Sequence, residues 1–179
     1  MSTVYLDLDG VLTDLNGMLA KKAGVPREEM GDATLRTFWI NKSTSEDQVA
    51  HWRDIPPNRV PEFRAIMSWL QLHRVNVEIL TSYGIATMGD CGALAHAGKV
   101  KWLMEHYLTE FQDKMISRFN GAQECWQKQF YAMPGALLVD DQPENCEGFR
   151  AAGGRAILYD LTRHDDFVIE FERTILEMS

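Results

Sequence analysis

Thr3-Val4-Tyr5-Leu6-Asp7-Leu8-Asp9-Gly10 is the stretch on which the reading of this chain turns. Its β-branched, aromatic and aliphatic opening predicts a buried strand, and the glycine after two carboxylates predicts a turn, so Asp7 and Asp9 are expected where the strand ends. Further strands are expected at Asn76 to Ser82, closing on the hydroxyls Thr81 and Ser82, at Lys114 to Phe119, at Ala136 to Asp140 and at Arg155 to Tyr159. Helical patterns separate them: about Pro61 to His73, Gly98 to Leu108, a helix from Pro143 to a Gly153-Gly154 stop, and Asp165 to Met178. Strands alternating with helices predict an α/β fold, a Rossmann-like parallel sheet covered on both faces.

Between the first two strands the chain is too long for one crossover helix. Leu15 to Val75 is mainly helical in pattern, with Ser45-Glu46-Asp47-Gln48 as a capping box before Trp52 and Pro56-Pro57 as a stop. The expected organisation is a core of residues 1–14 and 76–179, with 15–75 forming a small helical cap and its return helix.

The chain has 179 residues, 45% hydrophobic and 25% charged, which fits one folded unit and excludes general disorder. Its formal net charge of −8 and pI near 5.1 offer no basic track for a long phosphate backbone, so polymeric nucleic acid is not the expected partner. Cys91, Cys125 and Cys146 form neither an even disulfide set nor a C-x-x-C clamp, and they read as partly buried thiols. The first apolar run, Val4 to Leu8, contains Asp7 and leaves no room before it for a charged leader, and no run reaches membrane-spanning length. A soluble cytoplasmic protein with no membrane partner is expected, and a homodimer is left open.

A D-x-D-G tetrapeptide arises by chance in roughly 4% of chains this long, so Asp7 and Asp9 decide nothing alone. Their company decides. The strand ending Thr81-Ser82, the helix bearing Lys99 and the strand ending Asp140-Asp141 follow in order, and all would open on one crevice beyond the carboxyl ends of the strands. Converging carboxylates repel one another, and an all-oxygen set with room for water suits Mg²⁺. A cation beside an ammonium and two hydroxyls makes a receptor for a phosphoryl group. There one carboxylate can act as nucleophile and a second can serve the leaving alcohol as general acid.

These four pieces, D-L-D-G-V-L-T-D at Asp7 to Asp14, I-L-T-S ending at Ser82, Lys99, and L-L-V-D-D at Leu137 to Asp141, resemble the four motifs of the haloacid dehalogenase-like phosphatase superfamily. The resemblance spans most of the chain and keeps the motif order. It implies that Asp7 is the nucleophile and Asp9 the acid/base, with a backbone carbonyl of Asp9 also on the metal. Thr81 and Ser82 would hold phosphate oxygens, Lys99 would neutralise developing charge, and Asp140 and Asp141 would complete the Mg²⁺ site. Phe38-Trp39-Ile40, Trp52, Ile55-Pro56-Pro57 and Lys99-x-x-Trp102 are in turn similar to the 5'(3')-deoxyribonucleotidase branch. There the cap supplies an aromatic pair for base and sugar, which Phe38 and Trp39 match. This implies a nucleoside monophosphate as the small-molecule substrate.

Other readings stand beside this one. A polynucleotide 3'-phosphatase or a broad small-molecule phosphatase would carry the same motifs. A receiver-like phosphoacceptor places its acidic pair first and its acceptor centrally, the reverse of the order here. Phe38, Trp39 and Trp52 can equally form the core of a small cap. Thr13 reads as a donor to the phosphate or, preferably, a helix cap with Asp14; Lys128 reads as a lysine within reach of a substrate phosphate or, preferably, an exposed one, Lys101 as an exposed lysine, and Gln142 and Asn145 as residues that finish a turn or orient carboxylates. The five histidines show no zinc-like spacing and read as solvent-facing or locally bonded imidazoles.

Overall fold

The computed structural model describes residues 2–31, 48–82, 91–116, 119–122 and 125–178. Within them, β1 (Thr3–Leu6), β2 (Asn76–Ser82), β3 (Phe119–Ala122), β4 (Ala136–Asp140) and β5 (Arg155–Leu158) form a parallel sheet in the order β3-β2-β1-β4-β5. From β1 the chain builds outward through β2 and β3, then returns to the other side of β1 for β4 and β5. The strand order therefore reverses between β1 and β4, and the carboxyl ends of these two neighbours flank the crevice where such sheets bind ligands.

Burial on both faces explains why the strands read as nearly continuous apolar runs. Val4 and Leu6 of β1 and Leu137 and Val139 of β4 enter one core with Phe63, Met67 and Leu70 of a helix at Val60–Leu72 and Phe167, Phe171 and Ile175 of the last helix, His164–Met178. The intervening Tyr5, Ala136 and Leu138 face the opposite way and pack with Cys146 and Phe149 of the helix Pro143–Ala151. In chain order the helices are α1 (Leu15–Ala23), α2 (Gln48–Arg53), α3 (Val60–Leu72), α4 (Cys91–Ile116), α5 (Pro143–Ala151) and α6 (His164–Met178). Short 3₁₀ turns lie at Arg27–Gly31, Cys125–Tyr131 and Leu161–Arg163. Among the described residues no helix is long and apolar enough to cross a membrane.

A third cluster lies apart from the two faces of the sheet: Leu15, Leu19, Met30, Trp52 and Ile55, with Ala95 of α4. Trp52 is thus a core residue. The segment after α2 ties this cluster to the sheet, because Asn58 donates to the carbonyls of Leu12 and Thr13, each at 2.8 Å, and the Trp102 indole donates to the Ile55 carbonyl at 2.7 Å.

Two expectations are corrected. The third strand is Phe119–Ala122, not Lys114 to Phe119, and the helix expected at Gly98 to Leu108 runs from Cys91 to Ile116. No glycine or proline interrupts the chain between Lys99 and Ile116, so nothing stops the helix before it reaches the apolar pair at its end. The capping box at Ser45 to Asp47 and the aromatic pair Phe38 and Trp39 lie outside the described residues.

Candidate active site

Asp7 follows the last residue of β1, and its backbone N–H still donates across to the Val139 carbonyl of β4 at 2.9 Å. This pairing carries Asp7 to the point beside β4 where Asp140 ends its own strand. The chain then turns tightly: Leu12 and Thr13 both donate to the Leu8 carbonyl at 2.9 Å, and Gly10 donates to that of Thr13 at 3.0 Å. Gly10 holds φ +84°, and a Cβ there would lie 2.0 Å from Asp141 Oδ2. The glycine serves both the left-handed backbone and the close seat of the Asp141 carboxylate.

Carboxylate oxygens of Asp7, Asp140 and Asp141 all lie within 4.8 Å of one another. Asp140 is fully buried and held on all sides: its Oδ1 accepts from the Gln142 backbone at 2.9 Å and from Asn145 Nδ2 at 3.0 Å, and its Oδ2 from Lys128 Nζ at 2.6 Å. Gln142 and Asn145 therefore orient this carboxylate. Lys128 Nζ also lies 2.9 Å from Asp7 Oδ1, and among the described residues this ion pair is that oxygen's one contact with a cation; no other group donates to it. Burial pushes the Asp7 carboxyl up to about 6; the charges of Asp140 and Asp9 add to this, while Lys128 and Lys99 oppose it. Burial disfavours the Lys128 ammonium, but Asp7 and Asp140 outweigh it and raise this amine well above its ordinary range.

On the other side of Asp7, α4 carries Lys99 into full burial. Its ammonium donates to Asp9 Oδ2, to the Ser82 carbonyl and to Thr81 Oγ1, the last at 3.0 Å, so each of its three protons has an acceptor. The Trp52 ring lies beneath it at 4.7 Å. Thr13 Oγ1 reaches Asp9 Oδ1 at 3.5 Å, while Asp14, accepting from Gly17 N at 2.9 Å, is the residue that caps α1. Four carboxylates against two ammonium groups leave about the charge that one divalent cation carries. An all-oxygen set of three neighbouring carboxylates fits Mg²⁺.

The structure thus brings together Asp7, Asp9, Thr81, Lys99, Asp140 and Asp141, as expected. Ser82 joins through its carbonyl, which accepts from Lys99 Nζ. Phe38 and Trp39 lie outside the described residues. Lys128 corrects the sequence reading, which placed it on the surface: it is almost fully buried between two carboxylates. It sits in the 3₁₀ turn Cys125–Tyr131, whose neighbouring sequence carries no pattern that marks a buried lysine. The one available signal was a lysine a dozen residues before the Asp140-Asp141 pair that closes a strand.

The seat of Asp141 against Gly10 yields a test. Gly10→Ala is expected to displace the Asp141 carboxylate and strain the turn by ~1–3 kcal/mol. Mg²⁺ binding, measured by isothermal titration, should weaken by about tenfold or more. Unchanged binding would show that Asp141 takes no part in holding the cation.

No protein-family model matches this chain, and no curated protein matches it. Solved structures do. A haloacid dehalogenase hydrolase of family IA, variant 3, from Entamoeba histolytica is 15% identical, with 91% of this chain and 86% of that one covered at a TM-score of 0.56. A haloacid dehalogenase-like protein from Agrobacterium tumefaciens is 17% identical, with 88% and 82% covered at 0.49. A haloacid dehalogenase family enzyme from Bacteroides thetaiotaomicron, solved with magnesium and inorganic phosphate, is 16% identical, with 90% and 95% covered at 0.46. With the sheet order above and the Entamoeba match over nine-tenths of its length, this chain has the fold of the haloacid dehalogenase-like hydrolases.

Proposed function

We propose that this protein is a Mg²⁺-dependent phosphomonoesterase that works through an aspartyl-phosphate on Asp7, with nucleoside monophosphates as its substrates. The observation that supports the chemistry is the placement of Asp7: a buried carboxylate whose oxygen lies within 4.8 Å of those of Asp140 and Asp141 and beside the Lys128 ammonium. In this reading residues 1–14 and 76–179 form the catalytic unit, and 15–75 its cap and return helix. The nucleotide assignment rests on Phe38 and Trp39, whose sequence setting is similar to the deoxyribonucleotidase branch.

The steps follow from the placement of the side chains. A carboxylate oxygen of Asp7 attacks phosphorus, the bond from phosphorus to the ester oxygen breaks, and Asp9 gives that oxygen a proton. Water then attacks the phosphorus of phospho-Asp7, losing its proton to Asp9, and the carboxylate returns as inorganic phosphate leaves. Lys99 holds Asp9 and Thr81 in place, and its buried ammonium supplies positive charge beside the transferring phosphoryl group. Lys128 holds the buried Asp7 and Asp140 carboxylates side by side despite their mutual repulsion. Asp7, Asp140 and Asp141, with the Asp9 carbonyl, would hold Mg²⁺, which supplies electrostatic stabilisation of phosphoryl charge.

The direct test is phosphate release from 5'- and 3'-nucleoside monophosphates, a 3'-phosphorylated oligonucleotide and an aryl phosphate, each with Mg²⁺ and with chelator. Chelator should stop turnover, and deoxyribonucleoside monophosphates should be the best substrates. Turnover confined to the oligonucleotide would keep the chemistry and overturn the substrate. Asp9→Asn should slow hydrolysis of the phospho-enzyme by about 10²-fold or more, leaving acid-labile phosphate on the protein after a pulse of substrate. A variant that turns over normally, with no trapped phosphate, removes Asp9 from the acid/base role. Trp39→Ala should lower kcat/KM on nucleotides by ~10-fold while sparing the aryl phosphate. Equal losses on both would make Trp39 a packing residue.

A further inference from the structure

Helix α4 carries a glycine, Gly98, immediately before the buried Lys99. A glycine inside a helix weakens it, so its place there calls for a close approach by something else. What approaches is α2: a Cβ on Gly98 would lie 2.6 Å from the Val49 carbonyl oxygen and 2.6 Å from Trp52 Cβ. One turn before Lys99, Ala95 packs in the same cluster as Trp52 and Ile55. One turn after it, Trp102 donates its indole N–H to the Ile55 carbonyl at 2.7 Å. Ala95, Gly98, Lys99 and Trp102 share one stripe of α4, and the segment from Val49 to Ile55 is seated along it.

This seat lays the Trp52 ring against the Lys99 ammonium, with Nζ 4.7 Å from the ring centre. Lys99 is wholly buried, and among the described residues Asp9 is its one carboxylate partner; its other acceptors, Thr81 Oγ1 and the Ser82 carbonyl, are neutral. An ammonium taken out of water with a single counter-charge is costly to hold. The face of an indole is negative and attracts a cation most strongly where water is excluded, so the ring offsets part of that cost. The same ammonium ties Asp9 to Thr81, and Asp9 is the residue that moves protons in the mechanism above. A smaller side chain at Trp52 would leave space beside Nζ, into which the ammonium and Asp9 could shift together.

We propose that Trp52 is a positioning residue for the chemical step: its ring fixes the Lys99 ammonium and, through it, holds Asp9 where proton transfer requires it, with Gly98 as the opening that admits the ring. The inference rests on the phosphomonoesterase reading. It adds that the segment inserted between β1 and β2 takes part in the chemistry, through Trp52, as well as in the choice of substrate.

An aryl phosphate tests it, because a phenolate departs without a proton and the loss of a well-placed Asp9 then falls on hydrolysis of the phospho-enzyme. Trp52→Leu, which keeps apolar bulk without an aromatic face, should lower kcat ~10-fold or more and leave acid-labile phosphate on the protein after a pulse of substrate. Trp52→Phe should bring kcat back to within ~3-fold of the wild type and leave no trapped phosphate. Gly98→Ala favours the helix taken alone but pushes α2 off α4, so it should behave as Trp52→Leu does. The contact itself is read without activity: in NMR spectra of protein with isotope-labelled lysine, the Lys99 methylene protons, assigned by their absence in Lys99→Arg, should be shifted upfield by the ring and lose that shift in Gly98→Ala and Trp52→Leu. Lys99 protons at their ordinary position in the wild type overturn the inference whatever the kinetics. Equal losses in Trp52→Leu and Trp52→Phe, or wild-type kcat in Trp52→Leu, also overturn it and leave the phosphatase reading intact. No turnover of any ester by folded wild-type protein overturns the phosphatase reading and this inference with it.

Discussion

Asp7→Asn is expected to lose turnover by about 10⁴-fold or more, on the scale seen when a nucleophile that acts within a unit is removed. An amide nitrogen cannot attack phosphorus, and the remaining amide oxygen is a far poorer nucleophile than a carboxylate. The fold should survive. Asn has the same shape, and it removes one charge from a site where burial and the neighbouring charges of Asp140 and Asp9 already disfavour the ionised form. Lys128 keeps its 2.6 Å partner, Asp140. Phosphate release and thermal unfolding on the same preparation separate the two effects. Wild-type turnover by the variant would remove Asp7 from the nucleophile role, and a collapse of Tm would make its carboxylate chiefly structural.

Lys128→Met should produce the largest loss of stability of any single change at the site. Methionine fills a similar volume, but it leaves Asp7 and Asp140 buried, adjacent and without their shared cation. Removing one partner of a buried ion pair costs ~3–5 kcal/mol, which for a chain of this size lowers Tm by roughly 6–20 °C. Activity should fall as well, because the two carboxylates lose the group that holds them side by side. A second readout distinguishes charge from packing: Mg²⁺ at millimolar concentration should recover more Tm in the variant than in the wild type, since the cation takes over part of the neutralisation. Lys101→Met, an exposed lysine two residues from Lys99, provides the comparison and should change little. An unchanged Tm for Lys128→Met would mean that water reaches the pair and screens it.

Much of the site was legible because its chemistry clusters at strand ends. Asp7, Thr81 and Asp140 each close an apolar run, and runs that close on polar residues at regular spacing place those residues at one edge of a parallel sheet. The helix bearing Lys99 was legible too, although its length was not, since helix ends depend on what the last turns pack against. Thr13 shows the limit of local reasoning. By sequence it and Asp14 are equivalent caps, and only the turn of the chain gives the cap to Asp14 and turns Thr13 toward Asp9.

The order of motifs, the alternation of strand and helix, the carboxylate-rich crevice and its demand for a hard cation were determined by the sequence alone, because they follow from local pattern and from charge that must be neutralised somewhere. The tertiary structure decided which cations do the neutralising. Lys128 reads as a surface residue in its own neighbourhood and becomes the partner of Asp7 and Asp140 only when the turn Cys125–Tyr131 is laid beside β4. His51 reads as one of five ordinary histidines and becomes a buried one only when α2 sets it against Lys22. Burial and the long-range pairing of charges depend on contacts between residues far apart in the chain, and local periodicity carries no record of them.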